Sequence, residues 1–187
     1  MTKQRLRFRS PSAHWLAFHE FVSHTVVDLT DNGVNFAGSK TMSDVVLVRV
    51  EGQVEQPLEL SQADFSAFAE EEQVRDVSQI DARRAGDGVT LESVLQRVRP
   101  RSSATHLTMS SSLDGFSASV PLDAVRERGV LVYQIENRPL KTEEGGPIRF
   151  LISDSAACRT DELDDCANVK FIDRVELSEG KGPDTRV

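Results

Sequence analysis

Three groups of side chains in this sequence have the chemistry to bind or react: the serines of "SSSLDGFSASVPL" (110–122), two cysteines, and four histidines. His14, His19 and His24 recur every five residues, a step that turns about 140° beyond a full helical turn. They therefore share no helix face from which to hold a metal, and His106 stands alone in a strand-like run. Cys158 and Cys166 bracket an acidic segment, 161–165. Two thiols without a second pair or a nearby histidine match no structural zinc spacing. They read as reduced thiols on an exposed acidic loop, a surface that a protein partner could use. The serines sit beside an Asp-Gly turn, where hydroxyls commonly bond their own backbone. No G-x-S-x-G, P-loop or G-x-G-x-x-G occurs, so the common hydrolase and nucleotide signatures are missing.

The elements that must position these residues follow from periodicity. Ser10-Pro11 reads as a helix start, and Trp15, Phe18, Val22 and Val26 continue it at helical spacing to about residue 27. "VVLVRV" (45–50) reads as a buried strand. Ser61 caps a helix carrying Phe65 and Phe68, and "QVRDVSQIDA" alternates like a strand. Thr90 opens a helix with Leu91, Val94, Leu95 and Val98 on one face, stopped by Pro100. The cations of "RVRPR" suit that helix's C-terminal dipole better than a phosphate site. "ATHLTM", "FSASV", "VLVYQIE", "PIRFLIS" and "VKFIDRVEL" read as strands, with a short helix from Pro121 to Arg128. Mixed strands and short helices without regular alternation predict one α+β domain. The division expected is an N-terminal helix and loop (1–43) docking on the main body, the domain itself (44–178), and a mobile tail (179–187).

Composition narrows the partners. With 187 residues, 39% of them hydrophobic, the chain can bury a core without disulfide or metal. A net charge of −8 argues against a nucleic-acid binder, and no apolar run approaches the roughly 20 residues a bilayer demands. The basic "MTKQRLRFRS" is not followed by a signal-peptide core, and the cysteines are few, so a cytoplasmic protein is expected.

The order of the motifs resembles the molybdopterin-binding domain of the sulfite oxidase family. "VVLVRVEGQVEQPLELSQADF" is similar to the family's entry strand, its V-x-G-x-V-x-x-P turn and first helix. "GVTLESVLQRV" is similar to its G-V-x-L-x-x-x-L helix. "DGFSASVPL" and "NRPLKTEEGGPIRFLIS" follow in order, and "NVKFIDRVEL" resembles the closing V-K-W segment, with Phe171 in place of the tryptophan. The resemblance spans about residues 44–178 and implies a mixed-sheet fold of that type, with the N-terminal helix as an addition.

It also implies a site. Arg149 and Lys170 match basic positions at the family's cofactor pocket, beside Gly146, and would suit a pterin phosphate. Catalytic relatives carry a cysteine, the molybdenum ligand, nine residues before the proline of the V-P pair. Here that position is Ser112, with Asp114 and Gly115 nearby on the metal side. A serine hydroxyl is a harder and far less acidic donor than a thiol with a pKa near 8.5. Two readings stay open: an oxidoreductase domain holding a molybdenum–molybdopterin cofactor without the usual cysteine, or a module without metal that binds a small anion or a protein.

Overall fold

The computed structural model describes residues 44–153 and 168–186. The N-terminal helix expected over 11–27, both cysteines and the acidic 161–165 segment lie outside these residues. Within them, two five-stranded sheets carry the chain. The first begins with β1 (Val46–Gly52) and β2 (Leu58–Ser61), which leads into α1 (Gln62–Ser66). Ser61 caps α1 as expected: its hydroxyl accepts from the Asp64 amide, while the Asp64 carboxylate accepts from the Ser61 amide. β3 (Gln73–Val74) and β4 (Asp87–Thr90) start the second sheet, and Thr90 caps α2 (Leu91–Val98).

β5 (His106–Ser110) and β6 (Ser117–Pro121) form a hairpin closed by the serine-rich turn, and α3 (Leu122–Val125) follows. β7 (Gly129–Ile135), β8 (Arg138–Pro139) and β9 (Arg149–Ile152) complete the second sheet, and β10 (Arg174–Ser178) returns to the first. The orders are β2-β1-β10-β5-β6 and β3-β4-β7-β8, with β9 also on β7. Only β1 and β10 run parallel. The α+β reading and its mixed sheets stand.

β7 explains its own apolar run, because both its faces are covered. Leu131 and Tyr133 enter the large core that joins both sheets, with Phe65, Leu107, Phe150 and Val175. Val130 and Val132 enter a smaller cluster with Val77, Leu140 and Leu151 on the opposite face. Arg149 alternates with Phe150 and so points to the face of Leu151, where it is paired in register with Val132.

Three expectations are corrected. "QVRDVSQIDA" is a strand only at Gln73–Val74. Asp76 then adopts a left-handed φ of 59°, its carboxylate caps the Ser78 amide, and a 3-10 turn follows over Val77–Gln79. "VKFIDRVEL" becomes strand only from Arg174, since Phe171 also turns left-handed, at φ 59°. The tail expected to be mobile is instead bonded along the edge strand β6. The Thr185 amide donates to the Ser117 carbonyl at 2.8 Å. The Arg186 guanidinium, clasped by Asp184, donates to the Ser119 carbonyl at 2.7 Å. Polar pairing to an exposed edge replaces the apolar anchorage the tail lacks. Among the described residues no helix is long and apolar enough to cross a membrane.

Candidate functional site

The cationic half of the site is built by the loop from β8 to β9. Arg138 grips Glu144 with two bonds of 2.7 and 2.6 Å, and the same carboxylate accepts the Lys141 amide at 2.8 Å. These bonds, led by Arg138, hold the Glu144 carboxyl at about 2, far below its ordinary range. They also fix the 3-10 turn Thr142–Glu144, which ends at Gly145 with φ +90°. The Gly146–Pro147 bond is cis, and a Cβ at Gly146 would overlap the Leu140 carbonyl.

The segment before β10 is laid along this loop. The Phe171 amide donates to the Gly145 carbonyl at 2.9 Å, Ile172 to Ile148 at 3.0 Å, and Phe150 to Val169 at 2.8 Å. These bonds hold Phe171 in a left-handed conformation that costs a non-glycine residue about 1–2 kcal/mol. The result is convergence over Gly145. A Cβ there would lie 3.0 and 3.2 Å from Nη2 and Nε of Arg149, and 3.2 Å from Cγ of Lys170. A side chain there would crowd both, in addition to the strain of the positive φ.

Arg149 is the unusual member. Its Nε is buried and has no hydrogen-bond partner, and among the described residues the side chain forms no ion pair. Burial, and then the charge of Arg84, push its pKa below the ordinary arginine range, while Asp81 and Glu144 act in the opposite direction. Lys170 is exposed, and it too has no ion pair among the described residues.

The second half is the 110–117 turn. Ser110 and Ser117 hydroxyls lie 3.0 Å apart. The Ser111 amide donates to the Phe116 carbonyl at 2.9 Å, and the Gly115 amide closes on the Ser111 carbonyl at 3.0 Å. The Asp114 carboxyl is held low by the adjacent Ser111 hydroxyl and by the Phe116 amide. The Ser111 Oγ, though adjacent, reaches no hydrogen bond of good geometry. The Ser112 amide is tethered to both Asp173 carboxylate oxygens at 3.2 and 3.3 Å. Its exposed side chain lines a groove of about 580 Å³ with Arg49, Glu51, Glu59, Asp173 and Arg174. Both arginines there are already paired, Arg49 with Glu59 at 2.7 Å and Arg174 with Glu51 at 2.6 Å.

Of the residues expected at the site, then, Gly146, Arg149 and Lys170 come together around Gly145. Ser112 lies in the separate groove, and Asp114 and Gly115 are exposed on the same turn without lining it. One segment links the halves: Lys170 borders the first and Asp173 the second, a chain span of at most about 11 Å. Two residues escaped the sequence reading, Asp173 and Arg84. The arginine pair of "DARRAGDG", in a turn-rich stretch, was the one available signal for the latter.

A mixed two-sheet α+β fold with a glycine, an arginine and a lysine gathered at one corner is the architecture these residues define. The family model for the oxidoreductase molybdopterin binding domain matches residues 39–185. The chain belongs to that family. Among solved structures it is similar to the sulfane dehydrogenase SoxCD from Paracoccus pantotrophus, with a TM-score of 0.52 and 15% identity. The match covers 75% of this chain and 40% of that one, and at this identity it speaks for the fold alone. A search of curated protein sequences finds no significant match.

Proposed function

We propose that this chain binds a molybdopterin-type cofactor by its phosphate. Arg149 and Lys170 supply the charge, Gly145 and Gly146 the backbone cradle, and Ser112, on the turn with Asp114 and Gly115, the metal side. The observation that carries this reading is Arg149: a buried guanidinium Nε without a partner, beside a carboxylate, Glu144, already committed to Arg138. An unsatisfied buried donor is costly, and a phosphate offers the acceptor oxygens that match the guanidinium fork. Lys170 adds a compact charge on a flexible stem.

When bound, the molybdenum–pterin group supplies oxygen or electron transfer to or from a small oxyanion or oxide. The chain's own work is to neutralise the phosphate, fix its place over Gly145, and set what faces the metal. There Ser112 presents a neutral hydroxyl at neutral pH, where a cysteine would give a soft thiolate. Asp173, which holds the Ser112 amide, adds negative charge on that side. These two features favour the second reading, an anion-binding module without metal turnover. In that case a protein partner would be met through the acidic 161–165 segment.

The test is metal analysis by mass spectrometry, with fluorescence of the released pterin, on protein from a molybdenum-supplied host that makes the cofactor. The wild type is expected to carry pterin near one per chain. Arg149→Gln should weaken retention about a hundredfold, the loss of two charge-assisted bonds. Ser112→Cys should raise molybdenum per pterin. Well-folded wild type with neither pterin nor molybdenum sinks the cofactor reading and leaves the anion module.

A further inference from the structure

We propose that Arg84 is a second arginine of this anion site, set against Arg149 so that two guanidinium groups clamp one phosphate; the inference rests on the phosphate reading above. Arg84 lies in the loop between the Val77–Gln79 turn and β4, just beyond the stretch expected as a strand. The Val77 amide closes the base of this loop on the Gly86 carbonyl at 2.8 Å, and Val77 packs with Val130 and Val132 of β7. A Cβ at Gly86 would lie 3.1 Å from the Val132 side chain, and Val132 is the register partner of Arg149. Arg84 thus sits two residues from a glycine that touches the strand row carrying Arg149, on the face of the small cluster.

The two arginines share one defect. Among the described residues, three buried side-chain polar atoms lack a partner, and two of them are the Nε atoms of Arg84 and Arg149. The charged groups around them do not cure it. Asp81 forms an ion pair with Arg84 Nε at 3.5 Å that falls short of a hydrogen bond, and its oxygens also bond Arg83 at 3.1 and 3.2 Å. Glu144 is gripped by Arg138. Arg84 is also close enough for its charge to weigh against the Arg149 cation. Two partly desolvated like charges are unfavourable when alone and become favourable around a shared anion. A phosphate supplies that anion and acceptors for both forks.

The experiment uses the full chain prepared without cofactor, with inorganic phosphate as the probe, read by calorimetric titration and by thermal melting. Arg84→Gln is expected to weaken phosphate binding about tenfold, the worth of one charge-assisted bond. Its melting temperature without phosphate should equal or exceed that of the wild type, because a repulsion has been removed. Arg84→Lys, which keeps the charge and loses the fork, should fall between, and it carries the test should Arg84→Gln not fold. If Arg149→Gln abolishes binding while Arg84→Gln retains wild-type affinity, the Arg84 proposal is overturned and the phosphate reading stands. An Arg84→Gln protein that melts lower yet binds phosphate normally marks a purely structural arginine and also overturns it. Wild type that binds neither phosphate nor pterin overturns both.

Discussion

The corner around Gly145 and the turn at 110–117 satisfy their polar groups in opposite ways. At the corner Glu144 is committed to Arg138, and among the described residues neither Arg149 nor Lys170 forms an ion pair, with the Arg149 Nε left unpartnered. At the turn most groups answer another: the Ser110 hydroxyl to Ser117, the Ser111 amide to the Phe116 carbonyl, the Phe116 amide to Asp114 and the Ser112 amide to Asp173, the buried Ser111 hydroxyl being the exception. Arginines in the adjoining groove are paired as well. Burial of an unmatched charged donor is tolerated where a ligand completes it, whereas the one unmatched atom at the turn is a neutral hydroxyl, which asks for less. The difference teaches that the corner, more than the turn, leaves charge for a ligand to complete, which is why the proposed site is centred there.

The largest expected effect comes from placing one methyl group in each region. Gly146→Ala pushes a Cβ into the Leu140 backbone, whose carbonyl carbon would stand only 2.7 Å away. Because backbone cannot swing aside, the cost should be roughly 3 kcal/mol, with phosphate binding lost along with the loop. Gly115→Ala meets nothing within 4 Å and suffers only its φ of +72°, about 1–2 kcal/mol, with phosphate binding unchanged. Urea unfolding of both variants checks the ratio. Equal costs would mean the turn is as tightly built as the corner, and the contrast would fail.

Local physics made much of the fold readable before any coordinates. Ser61 and Thr90 cap the helices their side chains predicted, and the run from Val130 to Tyr133 is buried on both faces, as an unbroken apolar strand should be. Arg149 and Lys170, picked out by motif order and not by charge alone, lie together at Gly145. What could not be read depends on distant partners or on backbone exceptions. The Asp173 that fixes Ser112 is 61 residues away. Asp76 and Phe171 leave the strand conformation through left-handed φ values that alternation does not signal. Arg84 becomes meaningful only once β4, β7 and β9 lie side by side. The tail is held by backbone and guanidinium bonds to β6, so its poverty in apolar residues misled.

A smaller effect isolates the link between the halves. Asp173→Ala removes the bifurcated acceptor of the Ser112 amide, whose bonds of 3.2 and 3.3 Å are long and half-exposed. The loss should be about 1 kcal/mol in unfolding free energy, with phosphate affinity within twofold of wild type, since Gly145 keeps its bonds to Thr142 and Phe171. A phosphate affinity that falls as far as it does in Arg149→Gln would show one continuous site instead of two halves.

The smallest effect is a matter of pH. Glu144, gripped by Arg138, and Glu72, gripped first by Arg97 and then by the Ala69 amide, both titrate at about 2 in the fold, below the ordinary 4.5. A carboxyl whose folded pKa is depressed contributes its stability in full above the unfolded value and loses it as pH falls through the folded one. The urea midpoint should therefore decline from about pH 4.5 toward pH 2. Because these pairs are solvent-accessible, screening keeps the slope shallow. Glu144→Gln should flatten part of this limb and Glu72→Gln another part. Asp114 is also held low, by the Ser111 hydroxyl and the Phe116 amide, with no cation contributing. Asp114→Asn should accordingly flatten the limb less than Glu144→Gln. The reverse order would place the stronger carboxylate anchor at the serine turn and undo the contrast between the two regions.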